Sequence, residues 1–217
     1  MIRQPALPEK SCFFVFRADP VKKKELLLRN TFVRGPEQVK PKQERKCGMG
    51  EYTQAYLRDV VKKFLDGGYD GNTWKYQQYE DIYFAGGISL PEGKVSDIKF
   101  LIVAEDDHIS CYHIFPLRVS EEYRAAVCEF ITRANYDLKY GNFEMDFNDG
   151  ELRYKLLLTE HNFMQKDSVA LASMKRLMFI GMQSWMRYGN SIVDIMFGKS
   201  DGKAVKDMVK QCEQAVE

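Results

Sequence analysis

The chain has 217 residues, 45% of them apolar and 29% charged, with a formal charge of +1; this excludes a disordered composition and fits a globular fold. No apolar run approaches the roughly 18 residues that a bilayer crossing needs. Phe13-Phe14-Val15-Phe16 is too short for a signal-peptide core and is followed by Arg17 and Asp19, so a cytoplasmic location is expected.

Charge is unevenly spread. Residues 1–50 hold 12 Lys and Arg against 5 Asp and Glu, a surplus of seven; the remainder holds 20 against 26, a deficit of six. A basic leader at 1–50 therefore precedes an acidic body at 51–217. The leader reads as a solvated tail or as a segment that touches nucleic acid or a membrane surface. Lys22-Lys23-Lys24 lacks a neighbouring stacking aromatic, which speaks against nucleic acid. The leader carries five of the seven prolines. Ser11 to Arg17 could form an edge strand, and Asp19-Pro20 has the form of a helix start. Gly35 to Gly50 reads as linker, and Met49 offers an alternative start of translation.

From Thr53 to Leu65, Tyr56, Val60 and Phe64 recur at helical spacing, and Gly67-Gly68 ends the helix. Tyr76 to Ser89 reads as one strand with a bulge at Gly86-Gly87. Ile98–Ala104 and Ile109–Phe115 form a hairpin about Asp106-Asp107. Pairing Ala104 with Ile109 sets Ile102 against Cys111, Phe100 against His113 and Ile98 against Phe115. Pro116 is expected to end that strand. Ser120 is placed to cap a helix carrying Tyr123, Val127, Phe130, Ile131, Ala134 and Leu138, closed by Gly141.

A second hairpin runs from Asn142 to Thr159. With Asp149-Gly150 as a two-residue loop, Phe147 faces Leu152, Met145 faces Tyr154 and Phe143 faces Leu156. On its other side Asp146 faces Arg153 and Glu144 faces Lys155, so each pair joins apolar to apolar or acid to base. A long helix follows from Asp167 or Ser168 to Phe197, about 45 Å if unbroken. Gly189-Asn190 marks a potential kink. A last helix begins near Ser200-Asp201. The expected class is α+β: an antiparallel sheet of about five strands, helices on one face, the other face polar, in the order α-βββ-α-ββ-α-α.

In this order the chain resembles the YbjN family, described as bacterial sensory transduction regulators. The resemblance covers about residues 51–215. Its most specific part is Arg133 to Leu158, RANYDLKYGNFEMDFNDGELRYKLLL. The last helix, after Gly198-Lys199-Ser200 and with Ala204, also fits. The resemblance implies the fold of type III secretion chaperones, a homodimer and binding to other proteins. It supplies no catalytic residues and does not extend over residues 1–50.

The chemistry-bearing residues form no convincing set. Of the three histidines, His108, His113 and His161, the first two face opposite sides of one strand, and no third ligand is spaced to join either. His113, opposite Phe100, reads as a core histidine. Asp146-Phe147-Asn148-Asp149-Gly150 fails the calcium-loop spacing by one residue. The five cysteines, Cys12, Cys47, Cys111, Cys128 and Cys212, contain no Cys-x-x-Cys and fit reduced thiols. No metal or cofactor is expected.

Met174, Met178, Met182 and Met186 stand four apart, with Trp185 beside them. Each step drifts about 40° around a helix, about 120° in all. The stripe reads as core packing or as an adaptable binding surface, since thioethers repack around varied partners. These five residues are the candidate partner-binding set. The expected function is a non-enzymatic adaptor or chaperone-like protein that binds a protein or peptide. The alternatives are a regulator that senses a small ligand and an enzyme using Glu80, Asp81, Asp106 or Asp107.

Overall fold

A computed structural model describes residues 54–159, 167–200 and 202–215; the expectations for residues 1–50 and for His161 lie outside the described residues. Helix α1, Gln54–Leu65, is followed by β1 Tyr76–Tyr79, β2 Tyr83–Ser89, β3 Asp97–Ala104 and β4 His108–Arg118. Helix α2, Glu121–Asp137, leads to β5 Asn142–Met145 and β6 Glu151–Thr159, then α3 Asp167–Met196 and α4 Val205–Gln214. The class is α+β, and the six strands form one antiparallel sheet in the order β1-β2-β3-β4-β6-β5.

The extra strand comes from a turn with no glycine. Glu80 and Asp81 adopt φ of 46° and 59°, splitting the stretch expected as one strand into β1 and β2. The Gln78 amide braces this turn by donating to the Asp81 carbonyl at 2.8 Å. Left-handed turn residues are usually Gly, Asn or Asp, so only half of this pair is visible in composition. Gly86-Gly87 makes no bulge, since the β2–β3 register is continuous from Tyr83↔Val103 to Ser89↔Asp97. Gly86 is instead a close approach: a Cβ there would collide with the Phe100 ring and the Lys75 carbonyl.

The β3–β4 hairpin keeps its expected register, with Ala104↔Ile109, Ile102↔Cys111 and Phe100↔His113. Pro116 does not end β4, which runs to Arg118 through a register irregularity between Ile114 and Arg118. A proline removes one ladder donor, and an irregular stretch accommodates that loss.

The β5–β6 hairpin departs from the expected pairing by two residues. Phe143 pairs with Tyr154, Glu144 with Arg153 and Met145 with Leu152. The loop is four residues, Phe147 to Gly150, because the Asp146 N–H bonds the Glu151 carbonyl at 2.9 Å. The carboxylate of Asp146 accepts from the Asn148 N–H at 2.8 Å, and that of Asp149 accepts from the Glu151 N–H at 2.8 Å. These side-chain turns stabilise the longer loop. Phe147, expected opposite Leu152, is left 54% exposed. A shift of two keeps every residue on its original face, so the apolar side remains apolar.

The helices cover one face. Helix α1 meets β3, α3 meets β4 and β6, α2 meets β5, and α4 lies on α2 and α3. Helix α3 runs unbroken through Gly189-Asn190 and buries a stripe from Ala170 to Met196. Both of its glycines serve that contact. A Cβ at Gly181 would collide with the His113 imidazole, and one at Gly189 would lie 2.7 Å from Cγ2 of buried Val95. Ser120 occupies the N-cap of α2 but makes no side-chain cap bond.

The opposite face of the sheet is not uniformly polar, contrary to expectation. Leu101 and Val103 on β3 are buried yet lie outside the main core cluster. Their ladder partners include Tyr83, Tyr112 and Ser110. Charge gathers towards β5: Arg153 bridges to Glu144 at 2.8 Å and stands 4.6 Å over the Tyr112 ring.

Candidate protein-binding surface

Helix α3 carries all five candidate residues, and the structure divides them. Met174, Met178 and Trp185 are fully buried, whereas Met182 is half-buried and Met186 is 43% exposed. The division follows from geometry. A four-residue spacing drifts around the helix, so the stripe leaves the sheet as it ascends. Trp185 breaks the trend because it follows Met178 by seven residues and returns to the buried side.

The sealed half is tightly made. Trp185 stacks on Phe115 at 5.4 Å and meets Phe143 edge-on at 5.3 Å. Its indole N–H donates to the His113 carbonyl at 3.0 Å. The Cys111 thiol lies 3.8 Å from both Nδ1 of His113 and Sδ of Met178. Burial pushes the Cys111 thiol well above its ordinary range, which leaves it protonated and unreactive. Burial also lowers His113 from 6.5 to about 4, opposed by a hydrogen bond to the Met178 backbone. His113 is therefore neutral, and its Nε2 has no partner among the described residues. These three candidates belong to the core; no partner reaches them while the chain stays folded.

The open half gains a residue that spacing by four did not select. Phe179 is 37% exposed and lies three residues before Met182 and seven before Met186. Residues three, four and seven apart share a helix face, so Phe179, Met182 and Met186 form one apolar ridge. A search by helical periodicity on the polar side of α3 would have found Phe179.

Cations border the ridge. Lys175 pairs with Asp70 at 2.7 Å and stands 5.3 Å from the Tyr69 ring and 5.9 Å from that of Phe179. This hydrogen bond holds the Asp70 carboxyl below its usual value and raises that of Lys175. Both groups are near solvent, so the pair adds little stability. Arg176 lies 4.6 Å over the Tyr140 ring. Arg187 donates to the backbone carbonyls of Cys212 and Glu213 at 2.9 and 3.2 Å. Among the described residues, no carboxylate pairs with Arg176 or Arg187.

Among the described residues, the other candidates do not converge on one buried site. Glu80, Asp81, Asp106 and Asp107 are all exposed, in two turns at one end of the sheet. His108 contacts Glu105 and Asp107, its Nδ1 lying 2.6 Å from the latter. Among the described residues, no group of three His, Cys, Asp or Glu could hold a metal ion. Cys111, Cys128 and Cys212 are free. No helix among the described residues is long and apolar enough to cross a membrane.

Comparison with protein-family models, with curated proteins and with solved structures finds nothing that matches this chain.

Proposed function

We propose that the chain is a non-enzymatic, protein-binding adaptor of the YbjN type, chaperone-like and cytoplasmic, that works as a homodimer. One observation carries the binding reading. Phe179, Met182 and Met186 present an apolar ridge on a 30-residue helix whose opposite side is locked into the core. A rigid element that offers flexible thioethers and a phenyl ring to solvent suits helix-in-groove or helix-on-helix recognition. The order of hairpins and helices supports the kinship suggested by the block from Arg133 to Leu158.

The test is recovery of partners from native lysate with the full chain as bait, beside a Met186→Glu bait. One or more proteins held by the first and lost from the second is the expected result. Recovery of no protein by the unaltered chain overturns the adaptor reading. Light scattering tests the dimer separately: a mass of one 25.3 kDa chain at micromolar concentration removes it.

A further inference from the structure

The ridge on α3 lies in a locally basic part of an acidic body. Residues 51–217 carry six more acids than bases. Yet between Asp167 and Asp194, α3 holds Lys175, Arg176 and Arg187 and no acid. The three cations bracket Phe179, Met182 and Met186 along the helix. From Arg176 to Arg187 the rise is about 16 Å, three turns of helix. Lys175 is neutralised by Asp70, but among the described residues Arg176 and Arg187 have only ring faces and backbone carbonyls as partners.

An occupant must therefore place apolar side chains on the ridge and carboxylates beside it. A second copy docking through the same ridge would set Arg176 and Arg187 near like charges, which costs free energy. Nucleic acid supplies negative charge, but three cations, one of them already paired with Asp70, are few for tracking a phosphate backbone. Resting on the adaptor reading above, we infer that this ridge docks an acidic amphipathic helix of a partner protein. Its apolar side chains, spaced three and four apart, lie on Phe179, Met182 and Met186. Its Glu or Asp side chains reach Arg176 and Arg187.

The docking helix is held by modest apolar area plus two charge pairs at the rim. Rim charges act mainly on orientation and encounter rate, so binding weakens as salt rises. Met182 and Met186 have unbranched side chains and adapt to Leu, Ile or Phe on the partner. The ridge thus selects the sign of charge more strictly than the identity of the apolar residue.

The test uses the full chain and a synthetic capped peptide of about five helical turns, with Leu along one face and Glu on both flanks. Its counterpart carries Lys in place of every Glu, and a short DNA duplex serves as a second polyanion. The expected result is a dissociation constant on the order of 10 µM for the Glu peptide at low salt. The Lys peptide should bind at least about tenfold more weakly. Met186→Glu and Arg176→Glu should each weaken the Glu peptide by about tenfold, with unchanged melting curves as the control for folding. Equal binding of the two peptides, or unchanged binding by both variants, overturns the inference. Tighter binding of the duplex, lost in the same variants, replaces it with a nucleic-acid surface. If neither peptide nor duplex binds but Met186→Glu still loses a lysate partner, the acidic-helix chemistry falls and the adaptor reading stands.

Discussion

The side chain of Asn135 pairs with the backbone of Phe143 as a neighbouring strand would. Its Oδ1 accepts from the Phe143 N–H at 2.8 Å, and its Nδ2 donates to the Phe143 carbonyl at 2.9 Å. Phe143 lies on β5, an edge of the sheet, so a residue near the end of α2 closes part of an otherwise open ladder. Asn135→Ala leaves one donor and one acceptor of a buried residue without these partners. The expected loss is about 2 kcal/mol, read as a lower urea midpoint at unchanged slope. Asn135→Asp keeps the acceptor but sets a carboxylate against the carbonyl, and it should lose a comparable amount. A wild-type midpoint for Asn135→Ala would show that water replaces the amide without cost.

His113 should make the fold acid-sensitive. Its folded pKa is about 4 against an ordinary 6.5. Between those values the unfolded chain binds a proton that the folded chain refuses, so unfolding is favoured as pH falls. The stabilisation is complete above pH 6.5 and lost as pH drops through about 4. The gap corresponds to ~3 kcal/mol. Denaturation midpoints taken across this range on wild type and His113→Gln check it: the variant should lose this part of the acid slope. Parallel slopes would place the acid sensitivity elsewhere.

The two glycines of α3 should respond differently to alanine. In a helix interior the change gains about 1 kcal/mol of propensity. At Gly181 the new methyl meets the imidazole of His113, which is enclosed on every side. Overpacking of that kind costs about 1–3 kcal/mol, so Gly181→Ala should be clearly destabilising. At Gly189 the obstacle is the side chain of Val95, in the turn between β2 and β3. Val95 is buried, and its turn is tied to α3 by the Lys94 N–H bond to Asn190 at 2.6 Å. Only one methyl group must give way there, against a whole ring at Gly181, so Gly189→Ala should cost at least about 1 kcal/mol less than Gly181→Ala. Thermal melts of the pair decide; equal losses would mean that the turn is as fixed as the core.

The methionine stripe should divide energetically where it divides in space. Met178→Ala empties a core position and should cost about 2–5 kcal/mol. Met186→Ala removes a side chain that is 43% exposed and should change stability by no more than about 0.5 kcal/mol. Denaturation of both variants tests this. A large loss at Met186 would show that it is sealed in solution, which would also remove it from any binding surface.

The second hairpin shows what a linear pattern can and cannot carry. Alternation places Phe143, Leu152 and Tyr154 on one face and Glu144, Arg153 and Lys155 on the other, and that division holds. The loop length does not follow from alternation, because a shift of two leaves every face unchanged. It depends on a distant contact: the Val119 N–H donates to the Gly150 carbonyl at 2.8 Å, and a Cβ at Gly150 would collide with Val119. Likewise, the turn at Glu80-Asp81 lacked any glycine to announce it.

Period and charge along the chain were enough to determine an α+β body, its two principal hairpins, the apolar face of each and a methionine stripe that winds around its helix. Those properties are local: they depend on which residues recur every two or every three to four positions. Only the tertiary structure decided that Met174 and Met178 are sealed while Met186 meets solvent, and that Phe179 joins it. The direction from which the sheet presses on α3 fixes that choice, and this direction is set by a strand and a turn distant in sequence, through the room that Gly181 leaves for His113 and Gly189 for Val95.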